Sequence, residues 1–125
     1  MNRITKYMTI CILFLIISSA LSFMVMAQAI KPLSGTKGAG AINNGVRQFN
    51  QGKLDTALSH FQQALKKNSR SGVAHYNLAL TYNRLGKHDQ AAKHFQKASE
   101  FGRGNTFIQN SSILKQHTKR QQKKR

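Results

Sequence analysis

Apolar positions along this chain fall into a stripe that occurs twice. Ala57, Phe61 and Ala64 are spaced i, i+4, i+7, and so are Ala91, Phe95 and Ala98. That spacing lines one face of an α-helix. Leu78 and Tyr82 place a matching stripe on the segment ahead of the second set. Gly52 and Gly86 interrupt the apolar pattern where a helix would have to turn, and left-handed backbone angles are cheap only for glycine. The pattern predicts helices near 41–51, 54–67, 73–85 and 88–101, with a connector from Asn68 to Gly72. Beyond Gly102 and Gly104, residues Phe107, Ile108, Ser111 and Leu114 give residues 106–118 a short apolar face, read as a fifth, capping helix.

Shifted by 34 residues, the chain matches itself: Gly45 falls on Ala79, Gly52 on Gly86, Asp55 on Asp89, Ala57 on Ala91, Phe61 on Phe95 and Ala64 on Ala98. Small residues let two helices approach closely, and the phenylalanine fills the remaining space. Asp55 and Asp89 fall in a first helical turn, where negative charge complements the helix dipole. In period and in its small–aromatic–small signature, the segment resembles the tetratricopeptide repeat family. The resemblance implies an all-α fold of two antiparallel helix-turn-helix hairpins, with repeats at 38–71 and 72–105. The sequence departs from the family pattern at Ser69 and Arg103, where proline is usual, and at Ala41 and Asn44, where large apolar residues are usual. Two repeats are fewer than the roughly three such arrays need for stability. A capping helix, a homodimer or a partner would have to complete the stack.

The family's inner face is a protein- or peptide-binding groove lined by the first helix of each repeat. Carried over by position, the resemblance implies a groove of Ala39, Ile42, Asn43, Val46, Phe49 and Asn50 in the first repeat. In the second it implies Val73, Tyr76, Asn77, Leu80, Asn83 and Arg84. Asn43 and Asn77 can pair with a peptide backbone, Tyr76 offers a flat contact, and Arg84 can take a carboxylate. The carboxylate clamp of chaperone-binding members is missing, because Ile42 and Val46 stand in its first two positions.

The ends of the chain read differently. Arg3 and Lys6 precede an apolar run of about 19 residues between Tyr7 and Met26, and Ala27-Gln28-Ala29 follows as an A-x-A cleavage site. Residues 1–29 thus have the pattern of a secretory signal, implying a periplasmic or secreted protein. The run is longer than the ~7–15 residues of an ordinary signal core and approaches the ~20 of a membrane span. An uncleaved anchor is the alternative. Residues 30–40 have the glycine, serine and proline content of a flexible linker, leaving 41–105 as the repeat domain.

Charge sharpens the picture. Twenty Lys and Arg face three acids, Asp55, Asp89 and Glu100, for a net charge of +17. That imbalance implies an anionic partner. Lys115, Lys119, Arg120, Lys123, Lys124 and Arg125 concentrate it at the C-terminus, and residues 119–125 are expected to be a disordered basic tail. An anionic lipid surface is its natural target. Nucleic acid is less favoured, because an exported chain meets it less commonly, and without an aromatic residue for base stacking the tail would bind only phosphates.

Catalysis is not indicated. Two of the three carboxylates are the same repeat position, and no nucleophile elbow, phosphate loop or C-x-x-C occurs. The lone Cys11 lies in the apolar run. His60, His75, His88, His94 and His117 include no pair at i, i+3 or i, i+4, so no cofactor or metal is expected.

Overall fold

The computed structural model describes residues 29–123; the signal or anchor segment before Ala29, and Lys124 and Arg125, lie outside the described residues. Among the described residues six helices follow in order: α1 Ala39–Asn50, α2 Leu54–Lys67, α3 Gly72–Arg84, α4 His88–Phe101, α5 Thr106–Asn110 and α6 Ser112–Lys123. The pairs α1/α2 and α3/α4 form antiparallel hairpins. Helix α3 also packs on α2, and α6 closes the far side against α4. The fold is all-α, as the repeat implies.

The two hairpin turns are built alike. Gly52 and Gly86 have φ of +76° and +73°, the conformation that favours glycine. Behind each, the next amide reaches back five residues: Lys53 N–H donates to Gln48 O at 3.0 Å, and Lys87 N–H to Tyr82 O at 2.9 Å. These are Schellman closures, which satisfy orphan carbonyls at a helix end. The connector between hairpins ends at Ser71, whose Oγ accepts from Ala74 N–H at 3.2 Å and caps α3.

The repeated stripes form the core. Ala57, Phe61, Ala64, Ala91, Phe95 and Ala98 are all buried, together with Ile42, Val46, Phe49, Leu78, Ala79 and Leu80. The central helix, α3, is buried on nearly every side, including the polar His75, Asn77 and Thr81. Their hydrogen bonds are made: among the described residues no buried side-chain nitrogen or oxygen lacks a partner.

Three expectations change at the ends of the domain. Residues 30–40 are not a free linker throughout. Ala29 and Ile30 pack against the core, and a turn at Leu33–Thr36 leads into α1 two residues earlier than expected. The cap is not one helix. Ser111 breaks it with extended backbone at φ −61°, ψ 119°, because its Oγ instead caps α6 through Leu114 N–H and meets Tyr76 Oη at 2.9 Å. Its buried face is Ile108, Leu114 and His117, whereas Phe107 is 75% exposed. The basic tail, expected to be disordered from residue 119, continues α6 to Lys123. Leu114 and His117 anchor that helix on the bundle, and Lys, Arg and Gln are good helix formers once a helix is nucleated.

Candidate functional site

The groove residues separate into three groups. Ile42, Val46, Phe49 and Leu80 are core side chains, buried in the apolar cluster that runs through both hairpins.

The second group is committed to contacts within the chain. Asn77 is 0% exposed. Its Oδ1 accepts from Ile30 N–H at 2.8 Å, and its Nδ2 donates to Ile30 O at 2.7 Å. The amide thus grips a backbone by both edges, and the backbone belongs to this chain. Tyr76 meets Ser111 through its hydroxyl and Phe95 edge-on at 5.8 Å. Burial raises its phenol pKa, partly offset by the Ser111 hydrogen bond. Asn83 Oδ1 accepts from His117 Nε2 at 3.1 Å and from His88 Nδ1 at 3.2 Å. Arg84 donates to Phe49 O at 3.2 Å, and its guanidinium lies 4.5 Å from the Phe49 ring centroid. It thereby satisfies a carbonyl at the end of α1 and stacks on an aromatic face.

The third group is open. Asn43 and Asn50 are exposed and line a depression of about 540 Å³ on α1, with Lys31, Arg47 and Gln51. Half-buried Val73 lines a larger cavity of about 1220 Å³ between the Ala29–Leu33 segment, the start of α3 and α5–α6. Among the described residues, the two large apolar side chains that stand out in water, Leu33 at 86% and Phe107 at 75% exposed, both border this cavity. Lys31 lines both hollows, so the Ala29–Leu33 segment separates them.

Two features of this region escaped the sequence pattern. One is that segment. The signal available was Ile30 and Leu33, apolar residues in a stretch otherwise of linker composition. The other is a histidine pair across the second hairpin, where His75 Nδ1 and His94 Nδ1 lie 2.9 Å apart. His75 Nε2 sits 3.0 Å from Ser69 O, which can only accept. His75 therefore donates from Nε2 and accepts at Nδ1, and His94 donates. Tyr82 stacks on His94 at 5.6 Å. Nothing in the repeat marks the pair, because the first-repeat counterpart of His75 is Ala41. Among the described residues no three His, Cys, Asp or Glu side chains converge on a common point.

The pair makes stability depend on pH. Burial, then the charge of His75 and of Lys97, pushes His94 down to about 4 from 6.5. Burial also lowers His75, as does Lys97, against the Ser69 hydrogen bond that raises it. His117 is lowered by burial, Arg120 and His88. With folded-state pKa values below the unfolded ones, the unfolded chain binds more protons, so acid favours unfolding. Stability should be level above about pH 6.5 and fall as the pH drops toward 4. His94, half exposed, accounts for on the order of 1–2 kcal/mol after solvent screening. Melting temperatures at pH 7.5, 6 and 4.5 check this; a curve unchanged to pH 4.5 would contradict it.

The basic C-terminal residues form a stripe. Lys115, Lys119 and Lys123 recur every four residues on α6, on the side away from buried Leu114 and His117, with Arg120 beside them. Among the described residues no helix is long and apolar enough to cross a membrane. Compared with known proteins, residues 43–105, just over half of the 125-residue chain, match the family model for the tetratricopeptide repeat. No curated protein and no solved structure gives a match.

Proposed function

This chain belongs to the tetratricopeptide repeat family, and on that premise we propose that it is an exported, non-enzymatic adaptor whose hairpins hold a protein or peptide partner while its C-terminal helix attaches it to an anionic surface. Repeats of this family are protein–protein interaction modules and typically non-catalytic. The observation that carries the reading is the backbone grip of Asn77 on Ile30. A side chain that holds a peptide backbone within its own chain has the geometry to hold one from a partner. The Lys115–Lys119–Lys123 stripe supports the electrostatic half, and the A-x-A site at Ala27–Ala29 supports export. The length of the apolar run before that site favours a second reading, a membrane-anchored assembly subunit, which an intact mass retaining the first 29 residues would establish.

Deleting the C-terminal helix would strip cover from Phe95, since His117 packs 4.9 Å from its ring. Charge neutralisation is the cleaner test. Replacing Lys115, Lys119, Arg120, Lys123, Lys124 and Arg125 with Gln should preserve helicity. At about 1 kcal/mol per basic residue near an anionic bilayer, affinity for phosphatidylglycerol vesicles should fall at least about hundredfold. Pull-downs from cell extract would compare the two forms with and without nuclease and across a salt series. A single protein partner that persists at high salt with the neutral helix assigns binding to the hairpins. Loss of all binding at moderate salt or on neutralisation would replace the adaptor with an anion-surface binder, and nuclease-sensitive binding with a nucleic-acid binder.

A further inference from the structure

The groove implied by the repeats is already occupied at Asn77. Ile30 sits against the core with its amide and carbonyl both held by Asn77, 47 positions further along the chain. Pro32 disfavours helical backbone at Lys31, so the segment crosses the face as a non-helical strap. On one side of it lies the cavity beside Val73, Phe107 and Ile113; on the other lies the depression beside Asn43 and Asn50. Lifting the strap would join the two into one continuous trough along α1 and α3.

We infer that the Ile30–Leu33 strap is a placeholder in this trough, displaced by a partner segment that puts an aliphatic side chain where Ile30 lies and acidic residues on either side of it. The inference rests on the adaptor reading above and gives its partner a chemistry. The aliphatic position follows from Ile30 itself, which shows what fits beside Asn77. The acidic flanks follow from charge. Apart from the strap's own Lys31, the cations lining the two hollows are Arg47 and Arg70, and no carboxylate lines either. The strap itself carries a cation, Lys31, and sets it beside the arginines of a chain whose net charge is +17. It is therefore a weak occupant on electrostatic grounds, and a segment with Glu in place of Lys31 exchanges repulsion for attraction. A strap that fills the trough also lowers the apparent affinity for any partner by the fraction of molecules in which the trough is open. Leu33 and Phe107, exposed at the cavity border, would be covered when a longer segment enters.

The test uses the full chain and two labelled synthetic peptides. One carries the strap sequence from Ile30 to Leu33; the other carries the same sequence with Lys31→Glu and an added N-terminal glutamate. Affinities are read by fluorescence anisotropy against the unmodified chain and two strap variants. Ile30→Pro removes the N–H that Asn77 accepts, so the trough opens, and both peptides should bind at least about tenfold tighter. Lys31→Glu, at an exposed position that leaves the helices untouched, makes the strap a better occupant, so both should bind at least about threefold weaker. The acidic peptide should bind tighter than the strap sequence, with the difference shrinking as salt is raised. If Ile30→Pro loses helicity, the Lys31→Glu result decides alone. Unchanged affinity in the folded variants, or no binding to any form, overturns the inference and leaves the adaptor reading standing. The expected shifts, alongside failure to retain any natural partner, would sink the adaptor reading and leave the strap in place.

Discussion

Phe95→Ala is expected to unfold the second hairpin and release the C-terminal helices with it. Phe95 is fully buried, meets Tyr76 edge-on at 5.8 Å, and lies 4.9 Å from the His117 ring. One side chain of α4 thus joins α3 and α6. Truncating a buried phenylalanine costs about 3–5 kcal/mol, from lost transfer energy plus the cavity left behind. A domain of this size has little more than that in total. In repeat architectures each unit is stabilised by its neighbours, so loss of the second hairpin also exposes the face of α2 that packs on α3. Phe107→Ala, at an exposed ring, should change stability by less than about 0.5 kcal/mol. Urea unfolding followed by far-ultraviolet circular dichroism measures both. A Phe95→Ala loss below about 1 kcal/mol would mean that the repeated phenylalanine is not the keystone the packing indicates.

What the sequence made legible was whatever is local and duplicated. Ala57, Phe61 and Ala64, repeated as Ala91, Phe95 and Ala98, located the second helix of each hairpin, and Gly52 and Gly86 located the turns, because each signal lies within one or two helical turns. The boundaries of the four hairpin helices fell within two residues for the same reason. The groove was a different matter. Repeat position says which residues face inward, and Asn77, Tyr76 and Asn83 do so. It does not say what they meet there. Their partners are Ile30, Ser111 and His117, each more than 30 residues away in sequence and outside the duplicated segment. Charge misdirected the reading of the C-terminus in a similar way. Self-repulsion argues for disorder at residues 119–123, but Leu114 and His117 anchor the helix on α4 and the basic side chains simply point away. Tyr76, Asn77 and Asn83, expected to face a partner, are therefore the residues that bind the flanking segments of this chain onto α3.

Gly72→Ala is expected to be nearly as damaging, although it adds a single carbon. Gly72 opens α3 and faces the end of α4. A Cβ there would stand 2.6 Å from Gly102 N and 2.7 Å from Gly102 Cα. The obstacle is backbone, so no rotamer change relieves it, and either α3 or α4 must shift. Overpacking of this kind costs typically 1–3 kcal/mol, and the rigid neighbour argues for the upper end. With about 4–8 °C per kcal/mol in a domain this small, the melting temperature should drop by more than about 10 °C. Gly52→Ala is the comparison. Its Cβ would meet nothing within 4 Å, and only the positive φ is strained, so about 1–2 kcal/mol is expected. The ordering follows from the repeat as well as from the contact. Gly38 is the position equivalent to Gly72 in the first repeat, and a Cβ there would stand 3.1 Å from Ala64 O, near the end of α2. Both hairpins thus begin with a glycine at the point where the first helix starts beside the end of the second. At Gly38 the φ of +87° favours glycine as well; if Gly72→Ala melts within about 2 °C of the unmodified chain, the close approach is not a constraint on the hairpin, and Gly72 would need a different cause.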